Sequence, residues 1–414
     1  MGRRLPGTAC RLPPGGRPPL RPRTDGGAVD FGLVERGEAL RTEVRAFLKE
    51  HLTGELAERC HRTGVAHDTG FVRAMHEAGL LALGWPEEWG GRPCDPFELC
   101  VVEEELSRAD APTYGVSTTH MVARAILKCG DDTQREQVVP KAVRGEILIV
   151  LGFTEPECGS DLAAARTRAV RDGDHWVING SKMFTTNAHI GDHVFLLART
   201  DPDAPKHEGL TVFLVPLDQP GIEAQAVRTI SGERTNITYY RDARVHDAWR
   251  IGEVGGGWRV LGEALQEEHS VGFGASMLRL LEAAEDWART ETCERGRPRI
   301  ADPGVRERLG RCAAEAEVSL LLQRRAAVMA GQGAVPAAEG PMAKLFSSEA
   351  LTRAAEDLFA MLGPDALRSH LSPGAPGGGR VEHSLRFSLG TTIYGGTSEV
   401  QRGSIARRGL GLRR

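Results

Sequence analysis

The chain has 414 residues, of which 41% are hydrophobic and 26% charged, and its formal net charge is -4. These proportions are those of an ordinary globular protein, and the length suffices for about two to three domains. Charges of both signs are interspersed, which argues against nucleic acid or a membrane surface as the main partner. The longest apolar run, 147–153, is much shorter than the roughly 18 residues that a bilayer-spanning helix needs.

The eight cysteines are scattered along the chain and form neither a Cys-x-x-Cys pair nor another metal-ligand spacing. This pattern predicts reduced thiols in a reducing compartment, so we expect a cytoplasmic protein without a metal site. The first 24 residues hold six Arg and six Pro. Because so many prolines prevent an amphipathic transit-peptide helix, we predict a disordered extension over residues 1–28.

The hydrophobic period divides the rest of the chain into three parts. Residues 29–146 show apolar side chains at three- and four-residue spacing, which predicts an α-helical domain. Between 147 and 256 the period changes to two, and 171–180 has the pattern of a hairpin, so a central β-domain is expected. The helical period returns over 257–414, where Trp258–Thr290 is predicted to be one long helix. The sequence predicts a mainly α fold with a central β-domain and a C-terminal helical bundle.

Two stretches in the predicted β-domain are suited to binding a flat polar ligand. The first, GFTEPECGSD at 152–161, places Gly159 and Ser160 on a turn, where small residues let backbone N–H groups approach a ligand closely. The second, INGSKMFTTNA at 178–188, offers the apolar ring of Phe184 beside the hydroxyl of Thr186. A turn that merely caps a strand is the alternative interpretation of the first stretch taken alone.

A third stretch, TTIYGGTSEVQR at 391–402, lies near the C-terminus. Together and in this order, the three motifs resemble those of the acyl-CoA dehydrogenase family, and the resemblance covers residues 30–412. It implies that family's fold, an α-helical domain, a barrel-like β-domain and a four-helix bundle. It also implies FAD-dependent α,β-dehydrogenation of an acyl-CoA or related acyl thioester. The Gly-x-Gly-x-x-Gly fingerprint of dinucleotide-binding folds is not found after a predicted strand.

The resemblance also assigns roles to individual residues. The positions that correspond to FAD contacts in the family are Phe153, Thr154, Gly159, Ser160, Phe184, Thr186, Thr397 and Glu399. Phe184 would lie against the flavin ring, and the hydroxyl of Thr186 would bond to flavin N5, the atom that receives the hydride. Ser160, Tyr394 and His269 are the expected substrate contacts.

The family's usual catalytic base is missing from the third motif. Where the common form reads Ile-Tyr-Glu-Gly-Thr, this chain has Gly395, which lacks the carboxylate but keeps the N–H that would support the thioester carbonyl. Some family members carry their base on the first long helix of the C-terminal domain, and Glu268 corresponds to that base. Glu268 and Glu267 both fall on apolar helical stripes, so periodicity does not choose between them. The missing Glu and the resemblance favour Glu268.

Two other functions remain open at this point. If the chain has no base, it would be a non-catalytic partner subunit of a hetero-oligomeric acyl-CoA dehydrogenase. His269 weakens the resemblance to members with a helix base, because those members usually have Arg at this position. A flavin monooxygenase of the same fold is the other alternative. For a dehydrogenase, the resemblance implies electron-transfer flavoprotein as the electron acceptor. It also implies a homo- or hetero-oligomer, dimer or tetramer, because a neighbouring chain completes the family's FAD sites.

Overall fold

The computed structural model of the protein describes residues 35–267 and 272–412. The predicted extension at 1–28 lies outside the described residues, and so do Glu268 and His269. The helices and strands given below lie within 35–267 and 272–412.

The N-terminal part of the described chain folds into six α-helices. They are α1 (Glu35–His51), α2 (Gly54–Thr63), α3 (Thr69–Glu77), α4 (Pro96–Ala109), α5 (Tyr114–Cys129) and α6 (Asp132–Val143). Local sequence explains where several of them begin. Asp95 accepts from the backbone N–H of Glu98, whose side chain accepts from the N–H of Asp95 in turn, and Pro96 is the first residue of α4. This reciprocal cap satisfies backbone donors that a helix N-terminus leaves without intrahelical partners.

The middle of the chain forms a mixed eight-stranded sheet among the described residues. The strands are β1 (Ile149–Gly152), β2 (Arg168–Asp172), β3 (His175–Lys182), β4 (His193–Arg199), β5 (Leu210–Pro216), β6 (Ile222–Arg228), β7 (Arg234–His246) and β8 (Arg250–Ile251). Their order is β6-β7-β3-β2-β4-β5-β8, and β1 pairs in parallel with β4. The predicted hairpin is confirmed as β2 and β3, which pair antiparallel around Gly173 with a φ of 64°.

One glycine in β3 is required by close packing. Gly180 has a φ of 148°, and a Cβ there would lie 2.7 Å from the hydroxyl oxygen of Thr167. The pairing of β3 with β7 shifts register between Ile178 and Gly180, as expected for a bulge. The bulge comes just before Lys182 and the loop that carries Phe184, so it helps to set the direction of that loop.

The central strands are buried on both sides, which explains their nearly continuous apolar sequences. One hydrophobic core joins Ile126 of α5 and Val139 of α6 to Leu197 of β4 and Leu214 of β5. Val260 belongs to the same core and lies on α7 (Gly257–Glu267). The helix that precedes Glu268 is therefore anchored directly on the sheet and on α5.

The C-terminal part is again helical. Its elements after α7 are α8 (Gly274–Thr290), α9 (Pro303–Gly331), α10 (Glu339–Leu362), α11 (Arg380–Thr391) and α12 (Ser398–Ser404). A second core joins Met277 of α8, Ala316 of α9, Leu351 of α10 and Val381 of α11. Small side chains such as Ala316 let these long helices pack closely.

The prediction of a single helix over Trp258–Thr290 is wrong. Helix α7 ends at Glu267, and α8 begins at Gly274 after Gly272 and Phe273, which are not helical. Packing gives the reason at Gly274, where a Cβ would lie 2.8 Å from the side chain of Leu320 on α9. The close crossing at this glycine fixes where α8 starts, independently of the helical period on either side.

The predicted fold class, mainly α with a central β-domain, is confirmed. The predicted domain boundaries at 146/147 and 256/257 stay predictions. Within 35–267 and 272–412, the model contains no helix with both the length and the apolar character needed to cross a bilayer.

Candidate active site

The first two sequence motifs are joined by a buried ion pair. Lys182, at the end of β3, places its ammonium nitrogen 2.8 Å from Oε1 of Glu155 and 3.1 Å from the carbonyl oxygen of Phe153. The Lys182 side chain is fully buried and that of Glu155 nearly so. The backbone N–H of Met183 also donates to the carbonyl oxygen of Thr154, at 2.8 Å. The two loops therefore form one unit.

Glu155 is held in its charged form by its surroundings. Burial acts to raise its pKa, but Lys182 and the backbone N–H groups of Arg166 and Thr167 hold the pKa of this carboxyl below its ordinary value. A carboxylate that accepts several N–H bonds and faces an ammonium group gains more than it loses on burial. Lys182 and Glu155 thus hold the two motif loops together through a buried ion pair.

The loop after Lys182 presents an apolar ring to the surface. Phe184 has a φ of 59°, in the left-handed region, and its side chain is 55% exposed. The neighbouring Thr185 is fully buried and its backbone N–H donates to the carbonyl oxygen of Asn236 at 2.9 Å. A non-glycine residue in this conformation costs of order 1 kcal/mol and is often found at ligand sites. Because Thr185 is buried and hydrogen-bonded, it holds Phe184 in this left-handed conformation.

Polar groups surround the exposed ring. The hydroxyl of Thr186 lies 3.0 Å from that of Thr235 on β7. Asn187, with a φ of 64°, has a buried Oδ1 that finds no hydrogen-bond partner among the described residues. An exposed flat ring, an adjacent hydroxyl and an unsatisfied buried amide oxygen fit the stacked face and polar edge of an isoalloxazine. The flavin contacts predicted for Phe184 and Thr186 are compatible with these positions and stay predictions.

The other predicted residues of the first motif divide into exposed and buried positions. Gly159 and Ser160 are exposed on the turn after β1, and a Cβ at Gly159 would meet no atom within 4 Å. Phe153 is buried, with its ring 5.9 Å from that of Phe195. The FAD contact predicted for Phe153 stays a prediction. In the structure, the backbone carbonyl oxygen of Phe153 accepts the hydrogen bond from Lys182.

The third motif folds into a tight turn that leads into α12. Gly395 and Gly396 have φ values of 63° and 85°. The carbonyl oxygen of Gly396 accepts from Lys344 Nζ at 2.6 Å, and that of Gly395 accepts from Gln401 Nε2 at 2.8 Å. These bonds hold the turn from both sides. Two successive left-handed residues explain why the chain has glycines here.

Residues after the turn are placed at the start of α12. The hydroxyl of Thr397 accepts from the N–H of Val400 at 3.3 Å and so caps this helix. Glu399 is exposed in the first turn. The FAD contacts predicted for Thr397 and Glu399 are compatible with these positions and stay predictions.

The tail turn lies next to Phe273, the residue before α8. The ring of Tyr394 is 6.2 Å from that of Phe273, in an edge-to-face arrangement. Phe273 immediately precedes α8, five residues after Glu268, while α7 ends one residue before Glu268. Phe273, on the C-terminal side of Glu268, thus packs against Tyr394, the residue that precedes Gly395.

Sequence reasoning missed a group of titratable side chains beyond Tyr394. Asp110 Oδ1 at the end of α4 lies 2.7 Å from a guanidinium nitrogen of Arg279 on α8. Asp110 Oδ2 is 4.0 Å from Nε2 of His61 on α2, whose ring lies 5.8 Å from that of His383 on α11. We call these four residues the distal polar cluster. They come from four helices that are far apart in the chain, so no motif or spacing could have indicated them.

One cavity lies away from the motifs. It has a volume of about 170 Å³ and is bounded by residues of α3, α5 and α6 and by the start of β1, with His67 and His120 among its lining residues. Its lining includes none of the residues predicted to contact FAD. We place the candidate active site at the motif loops instead, where Phe184 and Tyr394 are exposed. No group of three or more potential metal ligands occurs in the described part of the chain.

Comparison with known proteins identifies relatives over nearly the whole chain. Three family models match, namely the acyl-CoA dehydrogenase N-terminal domain over residues 35–146, the middle domain over 150–241 and the C-terminal domain over 255–410. The chain is 36% identical over 392 residues to acyl-CoA dehydrogenase FadE26 of Mycobacterium tuberculosis, which spans 91% of this chain and 97% of the relative.

Two solved structures are similar over nearly the whole chain. The ChsE4-ChsE5 complex from Mycobacterium tuberculosis matches with a TM-score of 0.86 and 35% identity, covering 93% of this chain and all of that one. The Tcur3481-Tcur3483 steroid ACAD matches with a TM-score of 0.86 and 33% identity, with the same coverage. The chain belongs to the acyl-CoA dehydrogenase family. It is an oxidoreductase of that family, and its cofactor is FAD.

Proposed function

We propose that the protein catalyses α,β-dehydrogenation of an acyl-CoA with Glu268 as the base. The observation that carries this proposal is the contact between Tyr394 and Phe273, at 6.2 Å. This contact places Phe273, five residues after Glu268, beside the tail turn that has Gly395 in place of the usual Glu. It supports the proposal that a carboxylate from this part of the chain serves the reaction in place of the missing tail Glu.

Each residue then has a chemical task. Glu268 removes the α-proton of the thioester, and the N–H of Gly395 donates to the thioester carbonyl as negative charge develops on its oxygen. Bound FAD supplies the acceptor for the β-hydrogen, which leaves as hydride. Phe184 and Thr186 hold the ring system, while Ser160, Tyr394 and His269 contact the substrate. The Lys182–Glu155 pair positions the loops that carry Thr154 and Phe184.

The assembly and electron acceptor are part of the same proposal. The ChsE4-ChsE5 and Tcur3481-Tcur3483 structures are named for two components each. Their similarity over 93% of this chain supports an oligomer here, either of one chain or of two different chains. Electron-transfer flavoprotein is the proposed electron acceptor.

A second candidate function follows from those two-component relatives. If this chain were the non-catalytic partner of such a pair, it would complete sites without supplying a base. Gly395 favours this alternative, since the tail position that carries the carboxylate in most of the family has no side chain. The contact of Tyr394 with Phe273, five residues after Glu268, favours the catalytic alternative.

The test is spectroscopic. The purified protein, alone or with its partner chain, is expected to show an oxidised flavin absorption band that is bleached anaerobically by an acyl-CoA. Because one relative is named a steroid ACAD, the panel should contain ring-bearing as well as straight-chain acyl-CoAs. A flavin band that no acyl-CoA of the panel bleaches would contradict the proposed reaction. Oxygen consumption with reduced flavin would instead indicate the monooxygenase alternative.

A further inference from the structure

The tail turn is fixed by two side chains from different helices. Lys344 of α10 donates from Nζ to the carbonyl oxygen of Gly396 at 2.6 Å, and Gln401 of α12 donates from Nε2 to that of Gly395 at 2.8 Å. Lys344 is 5% exposed and Gln401 4% exposed. Both carbonyl groups of this glycine pair are therefore bonded to buried side chains.

The N–H groups of the same two glycines have a different environment. Within 35–267 and 272–412, neither the N–H of Gly395 nor that of Gly396 donates a hydrogen bond. Gly395 is exposed and Gly396 is partly exposed. In the peptide unit that joins them, the carbonyl of Gly395 and the N–H of Gly396 point in opposite directions, because a trans peptide is planar. The bond from Gln401 to this carbonyl therefore directs the N–H away from the buried side chain.

Two successive glycines would not keep such an orientation by themselves. Gly395 and Gly396 have φ values of 63° and 85°, and without a Cβ each residue can adopt many other conformations at similar energy. The common family form has Glu before a single Gly at this place, so this chain has one more unrestricted residue in the turn. The bonds from Lys344 and Gln401 select one conformation of this unusually free backbone.

The start of α12 does not by itself account for these two bonds. The hydroxyl of Thr397 caps the helix, and the carbonyl oxygen of Thr397 accepts from the backbone N–H of Gln401 at 2.9 Å. The N–H of Ser398 donates to the carbonyl oxygen of Thr392 at 3.1 Å and closes the loop around the glycines. Since the helix is capped and the loop is closed by these other bonds, the side chains of Lys344 and Gln401 act on the orientation of the glycine peptides.

We propose that Lys344 and Gln401 are positioning residues for the reaction, which fix the tail turn so that the N–H of Gly395 is aimed at the thioester carbonyl of the acyl-CoA. This inference rests on the proposed function, in which that N–H donates to the carbonyl oxygen as negative charge develops there. A donor that is aimed in advance needs no reorganisation when the charge appears. Without either bond the glycine pair relaxes, and the donor loses the distance and angle that a strong hydrogen bond requires.

The test observes the thioester carbonyl directly by infrared spectroscopy. The FAD-loaded protein in its native assembly is chemically reduced, so that no hydride can be transferred, and is mixed with straight-chain or ring-bearing acyl-CoAs labelled with ¹³C at the carbonyl carbon. A hydrogen bond from an N–H group weakens the carbonyl double bond and lowers its stretching frequency. The frequency is expected to be lower in the wild type than in Lys344→Met or Gln401→Met. Equal frequencies in all three proteins would overturn the inference.

The variants also separate positioning from general damage. Methionine has a similar length to both side chains but has no donor. With the oxidised protein, kcat per bound flavin is expected to fall about ten- to hundredfold in each variant while KM changes less than about threefold, because the interaction is strongest in the transition state. If Lys344 and Gln401 only stabilised the fold, the variants would lose unfolding free energy with kcat per bound flavin and carbonyl frequency unchanged. That result would contradict the inference.

A matched control comes from the same helix. Arg353 also lies on α10, and its ion pair with Glu315 at 3.0 Å is half exposed. Arg353→Met should leave both kcat and the carbonyl frequency at their wild-type values. If Lys344→Met does not fold, Gln401→Met decides, because it removes the adjacent bond to the turn without changing the charge of the protein.

The same measurements distinguish failure of this inference from failure of the proposed reaction. If acyl-CoAs bind but none bleaches the oxidised flavin, the proposed dehydrogenation fails, and a frequency difference between the wild type and the variants would still support positioning. If the wild type is bleached but the variants keep its kcat and frequency, the dehydrogenation stands and the role of Lys344 and Gln401 is overturned. A panel of which no member binds would contradict both.

Discussion

The loops of the first two motifs, which are the proposed flavin side, and the distal polar cluster are built in different ways. On the proposed flavin side, Lys182 and Glu155 are buried and hold two loops of the sheet together. In the distal polar cluster, Asp110 and His61 are partly exposed side chains from separate helices. A rigid, internally satisfied frame suits a cofactor that stays bound.

The largest expected effect comes from removing the proposed base while leaving the motif loops and the distal polar cluster unchanged. Glu268→Gln removes the proposed base but keeps the size of the side chain. Turnover should therefore fall about 10²–10⁴-fold, the usual contribution of a general base, with the flavin spectrum unchanged. The measurement is steady-state turnover with an artificial electron acceptor. Glu267→Gln is the matched control, and a loss in that variant instead would assign the base to the neighbouring residue.

A second change breaks the flavin side. Lys182→Met leaves the buried carboxylate of Glu155 without its ammonium partner, which should lower the free energy of unfolding by about 3–5 kcal/mol and weaken FAD retention. Urea unfolding of the holoprotein and the flavin-to-protein ratio measure both effects. Lys206→Met is the control, because its pair with Asp161 is half exposed and should contribute less than about 1 kcal/mol. Equal effects of the two variants would contradict the account of this frame.

Mild acid should affect the distal polar cluster through His383. Burial lowers its pKa to about 4, and Arg279, His61 and Arg386 act in the same direction while Asp110 opposes them. The unfolded chain binds this proton more tightly, so the stabilisation is complete above pH 6.5 and is lost as the pH falls toward 4. His383→Gln should remove roughly 1–2 kcal/mol of the decrease in unfolding free energy between pH 7 and pH 5. An unchanged pH dependence would place this ring in solvent.

The smallest effect concerns the tail turn. Gly395→Ala puts a Cβ on a residue with a φ of 63° and should cost about 1 kcal/mol of unfolding free energy. Gly54→Ala is the control, because Gly54 begins α2 and a Cβ there meets no atom within 4 Å. That change should be neutral or slightly stabilising. Thermal unfolding of both variants sharpens the contrast between a turn that needs glycine and a helix that does not.

The sequence was informative where local patterns carry the structure. The change of period from 3.6 to 2 near Ile147 predicted the β-domain correctly, because strand formation depends on neighbouring residues. The flavin contacts predicted from the motif around Thr186 stay predictions. The break before Gly274 was missed, since it depends on the approach of Leu320 from another helix. The contact of Asp110 with Arg279 joins residues 169 positions apart, and no period or motif encodes such a pair.

The most direct test of the central claim follows the α-proton itself. The holoprotein is incubated anaerobically with a saturated acyl-CoA in D₂O, and deuterium in the recovered acyl-CoA is measured by mass spectrometry. If Glu268 is the base, wild type should exchange the α-hydrogen while Glu268→Gln shows at least a hundredfold slower exchange. Exchange at the wild-type rate in Glu268→Gln would contradict the account and require a different base.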